Sequence, residues 1–280
     1  MKFYRATLYF VRNTNWLELL LLISFVVFFI SPLTNMVMEA FRFNAFERNY
    51  VPEQMSLRWF QFIIERDGVT SAFYNSYMIA IVSTALSLLV CIPAAYALAR
   101  LSFPFKHFFL FSFLLSNAFP KMGLYISIGV VFYKFDLIGT LTGVMIIHII
   151  NSLTIMTWIT SAAFKNIQRA QEEAARDVGA SRLQTFWWVT LPLASPGIAV
   201  ATIFTFLESL EESTGTLLVG MPNYKTLPTA MYGIIFDTPM PAAAAFAMVY
   251  IVPIILLLTA VYFIAKRSVL FKSMFESKGI

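Results

Sequence analysis

The chain has 280 residues, of which 59% are hydrophobic and 12% charged, with a mean hydropathy of +0.74. A soluble domain carries about 25% charged residues, so this much apolar surface must be solvated largely by lipid, and a freely soluble globular domain is excluded. The formal charge of +5 does not point to nucleic acid, because Lys and Arg fall in short clusters between apolar runs and build no groove-filling stripe. Cys91 is the single cysteine and lies inside an apolar run, which excludes a disulfide framework and a Cys-rich metal site.

A hydrocarbon core of about 30 Å needs roughly 20 apolar residues of helix. Six runs qualify, at about 16–38, 74–98, 108–132, 138–161, 197–219 and 241–265. The first follows Lys2, Arg5 and Arg12 and continues through Pro32 without a small-x-small cleavage site, so it reads as an uncleaved span rather than a signal peptide. Pro93, Pro120, Gly129 and Pro253 fall within the runs, where neighbouring helices can satisfy the freed backbone groups. The expected fold is therefore an all-α integral membrane protein with an N-terminal tail over 1–15, a six-span domain over 16–265 and a C-terminal tail over 266–280. An even number of spans puts both tails on one side. Thirteen of the twenty Lys and Arg then fall on that side, which makes it cytoplasmic together with the 162–196 loop. The 39–73 loop is external, its four Arg offset by Glu39, Glu47, Glu53, Glu65 and Asp67.

The 162–196 loop is too polar to cross a bilayer and too patterned to be idle. Asn166 is placed to cap a helix through Gln171, Glu172, Glu173, Ala174 and Ala175, and Gly179 is placed to stop it. Ser181 with Gln184 forms a capping-box pattern for a second helix carrying Leu183, Phe186, Trp187 and Val189 and ending before Pro192. The small residues Ala174, Ala175, Gly179 and Ala180 let another surface approach the turn. These features fit either an amphipathic hairpin lying in the headgroups or a docking element.

The fifth run contains Glu208, Ser209, Glu211 and Glu212 near the expected midplane. Glu211 and Glu212 follow Glu208 at i+3 and i+4 and share its helix face. An ionised carboxylate facing lipid costs on the order of 2–4 kcal/mol or more. The group therefore lines a watery translocation path, or the helix breaks here and the glutamates sit in an external vestibule or bond to backbone. Gly215 and Gly220 have the separation of a phosphate-binding loop, but Met221 and Pro222 follow in place of Lys and a hydroxyl residue. His107 and His148 lie in different spans with no companion ligand. The chain is thus expected to bind no metal or cofactor and to catalyse nothing itself.

Glu173-Ala174-Ala175, three residues, Gly179, nine residues, Val189, one residue, then Leu191-Pro192 resembles the EAA motif of permease subunits of binding-protein-dependent ATP-binding-cassette importers. Val189 stands where the family usually has Ile, and Gln168 where many members have Pro. The resemblance implies the six-helix type I permease fold in a bacterial inner membrane. It makes the loop a coupling helix held by an ATPase dimer through Glu172, Glu173, Ala174, Ala175, Asp177, Gly179, Ala180, Leu191 and Pro192. It also implies ATP and Mg on that separate ATPase, a second, distinct permease chain, and an external solute-binding protein. Asp177-Val178-Gly179-Ala180-Ser181, His148, Thr226-Leu227-Pro228 and the Ser209, Glu211, Glu212 group are similar to the spermidine/putrescine-type branch, with Glu208 as an extra acid; the likeness runs from about Asn75 to Tyr262. This favours a cationic amine as solute, with a sugar as the alternative. An ion-coupled secondary transporter using the glutamates is the alternative of another class.

Overall fold

The structure is a computed structural model and describes residues 15–267, so the outer parts of both expected tails lie outside the described residues. Its order is α1 (Trp16–Phe41), α2 (Arg58–Ile64), α3 (Val69–Arg100), α4 (Lys106–Ala118), α5 (Lys121–Lys134), α6 (Leu141–Lys165), α7 (Arg169–Asp177) and α8 (Arg182–Thr185). A π-helical turn over Phe186–Thr190 then leads into α9 (Leu191–Glu211), followed by α10 (Thr214–Val219), α11 (Leu227–Asp237) and α12 (Met240–Arg267). Among the described residues five helices are long and apolar enough to cross a membrane: Trp16–Phe41, Val69–Arg100, Leu141–Lys165, the continuous Arg182–Glu211 and Met240–Phe263. The protein is a multi-pass helical membrane protein.

Two of the six expected runs take a different form. The run at 108–132 is carried by α4 and α5 in succession, of 13 and 14 residues. Pro120 lacks an N–H and its ring collides with the carbonyl four residues back, so Phe119 is extended and α5 begins afresh at Lys121. The run at 197–219 is displaced toward the N-terminus. Its helix extends back through the π turn to Arg182 and stops at Glu211, where Glu212 turns extended at ψ 117°.

The chain divides into two compact units, 1–66 with 234–254 and 67–233 with 255–280. In the first, the 18-residue apolar core of α1 has no residue buried, and its Leu, Ile, Val and Phe side chains form a lipid-ready surface. The chain after α1 folds back so that Ser56 N–H meets Phe41 O at 2.7 Å and Phe43 N–H meets Gln54 O at 3.0 Å. Arg42 lies inside this fold at 2% exposure. Its guanidinium pairs with Glu39 at 2.9 Å and Glu47 at 3.4 Å and donates to the Asn49 carbonyl at 2.7 Å. The Trp59 indole N–H closes the fold on the Arg42 carbonyl at 2.7 Å.

In the second unit α3, α6 and α9 pack on one another. Cys91, Met156 and Ala201 meet in one layer, and Ala95, Phe164 and Ala194 in another. Small residues set the approach, as is usual where helices associate in lipid without a hydrophobic driving force. A Cβ on Gly197 would collide with Ala163 Cβ. Gly197→Val is accordingly expected to destabilise the unit by about 1–3 kcal/mol through overpacking, read as a lower melting temperature of the detergent-solubilised protein. Tyr125 and Phe132 of α5 pack with Ile147 of α6 and Val219 of α10.

Candidate functional site

Two groups of chemistry-bearing residues stand out, an exposed helical turn after α6 and a polar cluster inside the second unit. The turn is built as its sequence requires, with one change at its start. Asn166 closes α6 rather than opening the next helix, and Gln168 occupies the N-cap of α7 without a side-chain cap bond. The reason is positional: Asn166 N–H is already bonded to the Ala162 carbonyl, so α6 runs on to the residue that was to begin α7.

Gly179 stops α7 in the left-handed region at φ +96°. Its N–H meets the Arg176 carbonyl at 2.9 Å, and the Ala180 N–H meets the Ala175 carbonyl at 3.1 Å. These are the paired closing bonds of a Schellman turn. Ser181 and Gln184 then exchange their capping bonds, at 2.8 Å and 3.3 Å. The second helix does not end before Pro192. The π turn lets Leu191 N–H reach back to Phe186 O, and Pro192 follows directly within the continuous helix, where the π turn has already displaced the regular bonding that a proline would break.

Glu173, Ala174, Asp177 and Gly179 are exposed, with Ala175 and Ala180 half-buried beside them. Nothing lies within 4 Å of where a Gly179 side chain would begin. Leu191 is half-buried and Pro192 exposed. Glu172 departs from this group. It is buried at 3% exposure, and its Oε1 accepts from Arg100 Nε at 3.1 Å and Thr190 Oγ1 at 2.9 Å. Arg176 approaches the other oxygen at 3.9 Å. Glu172 is thus held by the chain's own residues. Arg100 and Thr190 were not singled out from the sequence; a charge at the end of the 74–98 apolar run was the available signal for Arg100.

The membrane cluster centres on His148, which is 1% exposed. One ring nitrogen is 2.7 Å from Ser209 Oγ and the other 2.9 Å from Thr216 Oγ1. Ser83 Oγ lies 3.1 Å from Ser209 Oγ. Four elements, α3, α6, α9 and α10, are joined through this chain of hydroxyls and imidazole. His148→Leu leaves Ser209 and Thr216 short of a partner and is expected to lower stability by about 1–3 kcal/mol, measured by denaturation in detergent.

The three glutamates do not share one face, because the helix breaks among them. Glu212 is buried, and its carboxylate accepts the Gly215 N–H at 2.9 and 3.2 Å, which starts α10. Glu211 is exposed at the end of α9, and Glu208 is half-buried with Oε2 enclosed and without a hydrogen-bond partner. A cation inside the 108–132 run that was not singled out from the sequence belongs here. Lys121 donates to Asn151 Oδ1 at 3.0 Å and acts electrostatically on both Glu208 and Glu212. Tyr125 reaches the same Asn151 oxygen at 3.2 Å. Its position, directly after Pro120 and between two apolar halves, was the sequence signal for Lys121. Among the described residues no group of three or more His, Cys, Asp and Glu is placed to hold a metal ion.

The chain belongs to the family described as binding-protein-dependent transport system inner membrane component, whose pattern matches residues 91–270. It is 31% identical over 188 residues to the sulfoquinovosyl glycerol transport system permease protein SmoH of Agrobacterium fabrum, a match spanning 66% of each chain. It is 30% identical over 210 residues to the trehalose transport system permease protein SugB of Mycobacterium tuberculosis, covering 73% of this chain and 77% of that one. The spermidine/putrescine transport system permease protein PotC of Escherichia coli is 24% identical over 238 residues, covering 84% and 88%. A chain in the crystal structure of a bacterial ABC transporter involved in import of the acidic polysaccharide alginate has the same fold, with a TM-score of 0.71 at 18% identity over 88% of this chain and 94% of that one. The fold is the type I ABC importer permease fold.

Proposed function

We propose that this chain is one of two membrane subunits of an ATP-driven importer, forming with a second permease chain the path for a small polar solute delivered by an external binding protein. The observation that carries the reading is the exposed Glu173-Ala174-Ala175…Gly179 turn on a chain otherwise built for lipid. An ATPase dimer, which carries ATP and Mg, holds this turn on the cytoplasmic side, where both termini lie. Glu173 pairs with a basic group of the ATPase, while Ala174, Ala175, Gly179 and Ala180 admit its surface closely. Asp177 rims the contact, and Leu191 with Pro192 leads from it into the span. Purifying the tagged chain from its native membrane tests the assignment. Retention of an ATPase and a second permease chain supports it; a chain that purifies without an ATPase rejects it in favour of an ion-coupled carrier.

The solute is read from the acidic end of α9. Glu208 and Glu211 face the path, whereas Ser209 and Glu212 hold its wall through His148 and Gly215. Two carboxylates at this place favour a cationic amine of polyamine type. A sugar is the second reading, favoured by relatives named for trehalose and sulfoquinovosyl glycerol transport. Uptake of labelled putrescine and trehalose separates the two. Glu208→Gln and Glu211→Gln should each lower putrescine uptake about tenfold, the equivalent of 1.4 kcal/mol; unchanged uptake in both variants would sink the cationic reading.

A further inference from the structure

We infer that the buried pair of Arg100 and Glu172 is the strut that carries displacement of α7 into the membrane, a positioning role separate from contact with any partner. The inference rests on the importer reading and deepens it. Glu172 and Arg100 keep side-chain exposures of 4% and 8%, on a helix whose other carboxylates, Glu173 and Asp177, are exposed. The two sides of the helix therefore have different work, and Glu172 faces the chain's own spans.

Its bonds converge on the ends of three elements. Arg100 is the last residue of α3, and its Nη2 also donates to the Ile167 carbonyl at 2.9 Å, at the exit of α6. Thr190 is the last residue of the π turn and leads directly into α9. A carboxylate oxygen shared between Arg100 and Thr190 ties α3 and α9 to α7 at one point. The same two helices are tied a second time where Ser83 meets Ser209. At 1.5 Å per residue that second tie is roughly 25 Å from Arg100 along α3. Two helices tied at two points along their length, and packed against α6 between, move as one body. Displacement of α7 is then delivered to the polar cluster beside Glu208 rather than absorbed as a bend at Gln168. Water-exposed pairs exchange partners readily, whereas a buried pair that breaks leaves a charge without compensation. Burial is what makes this contact a rigid link.

Spin labels on Arg169→Cys and Leu89→Cys, both exposed positions outside the proposed docking turn, in a Cys91→Ser background test the strut in the purified complex with its ATPase. The distance between them is read by pulsed electron paramagnetic resonance without nucleotide and with ATP, Mg and vanadate. With Glu172 present, α7 and α3 move together and the distance is expected to stay the same. In Glu172→Gln, which keeps the shape and removes the charge, it should change by about 1–2 Å or more, the scale of helix shifts at interfaces. An unchanged distance in Glu172→Gln, or a changed one with Glu172 present, overturns the strut. Loss of the ATPase from Glu172→Gln, as expected for Glu173→Arg, makes Glu172 a docking residue and also overturns it. If the wild-type chain retains no ATPase, the importer reading fails and takes the strut with it. Thr190→Val, which removes one donor and leaves the charges, carries the same test if Glu172→Gln does not accumulate.

Discussion

Gly179→Val is expected to abolish retention of the ATPase and to lower solute uptake by about a hundredfold or more, while the chain still reaches the membrane. The left-handed backbone costs an ordinary L-residue roughly 1–2 kcal/mol, and a β-branched side chain more, so valine unwinds the turn that Arg176 and Ala175 close. The same change puts two methyl groups into space that the chain itself leaves empty, where an approaching surface is proposed to fit. About 2.7 kcal/mol is a hundredfold in binding, and the two effects together reach it. Gly179→Asn separates them, because asparagine accepts this conformation while still adding bulk. Affinity purification with transport assays on both variants reads the outcome. Full uptake by Gly179→Val would mean that the turn is not the docking element.

Arg42→Met should lower stability by about 3 kcal/mol, because the half-buried Glu39 and Glu47 are left charged and without their cation. Glu39 and Glu47 would both lose their cation, and the Asn49 carbonyl its donor. The damage is expected to be local. Hydrogen exchange should rise across 39–63 while α3, α6 and α9 keep their protection. The triple variant Arg42→Met with Glu39→Gln and Glu47→Gln should recover part of the loss, since no bare charge remains buried. A uniform rise in exchange over the whole chain would contradict this account.

What the sequence revealed was whatever local chemistry alone decides. Apolar length placed four spans well, and the turn at Gly179 and the capping box at Ser181 follow from residues only a few positions apart. Most of the misplaced features needed a distant partner, and Glu212 needed a break in the helix just beyond it. Glu172 looked like its neighbour Glu173 until Arg100 and Thr190 were brought beside it. Glu212 looked like Glu208 and Glu211 until it turned on the Gly215 N–H. Lys121 was passed over because nothing near it in the sequence announces Asn151. Arg42 was read as one of four external arginines balanced by acids, and its burial depends on a chain reversal that brings residues 47–56 around it. Proline was misjudged in both directions. Pro120 divides a helix that apolar length alone would continue, and Pro192 fails to end one because a π turn comes first.

That π turn has a consequence for the phase of the molecule. A π segment holds one more residue than the α-helix it interrupts, so the faces of Arg182–Thr185 and of α9 are out of step by one position, about 100° of rotation. Rewinding Phe186–Thr190 as plain α-helix without removing a residue would turn every later side chain of α9 by that angle. Gly197 would leave Ala163, and Ser209 would leave His148. The spacing from Gly179 to Leu191-Pro192 is therefore also a clock setting, fixing which side of the span faces the seam.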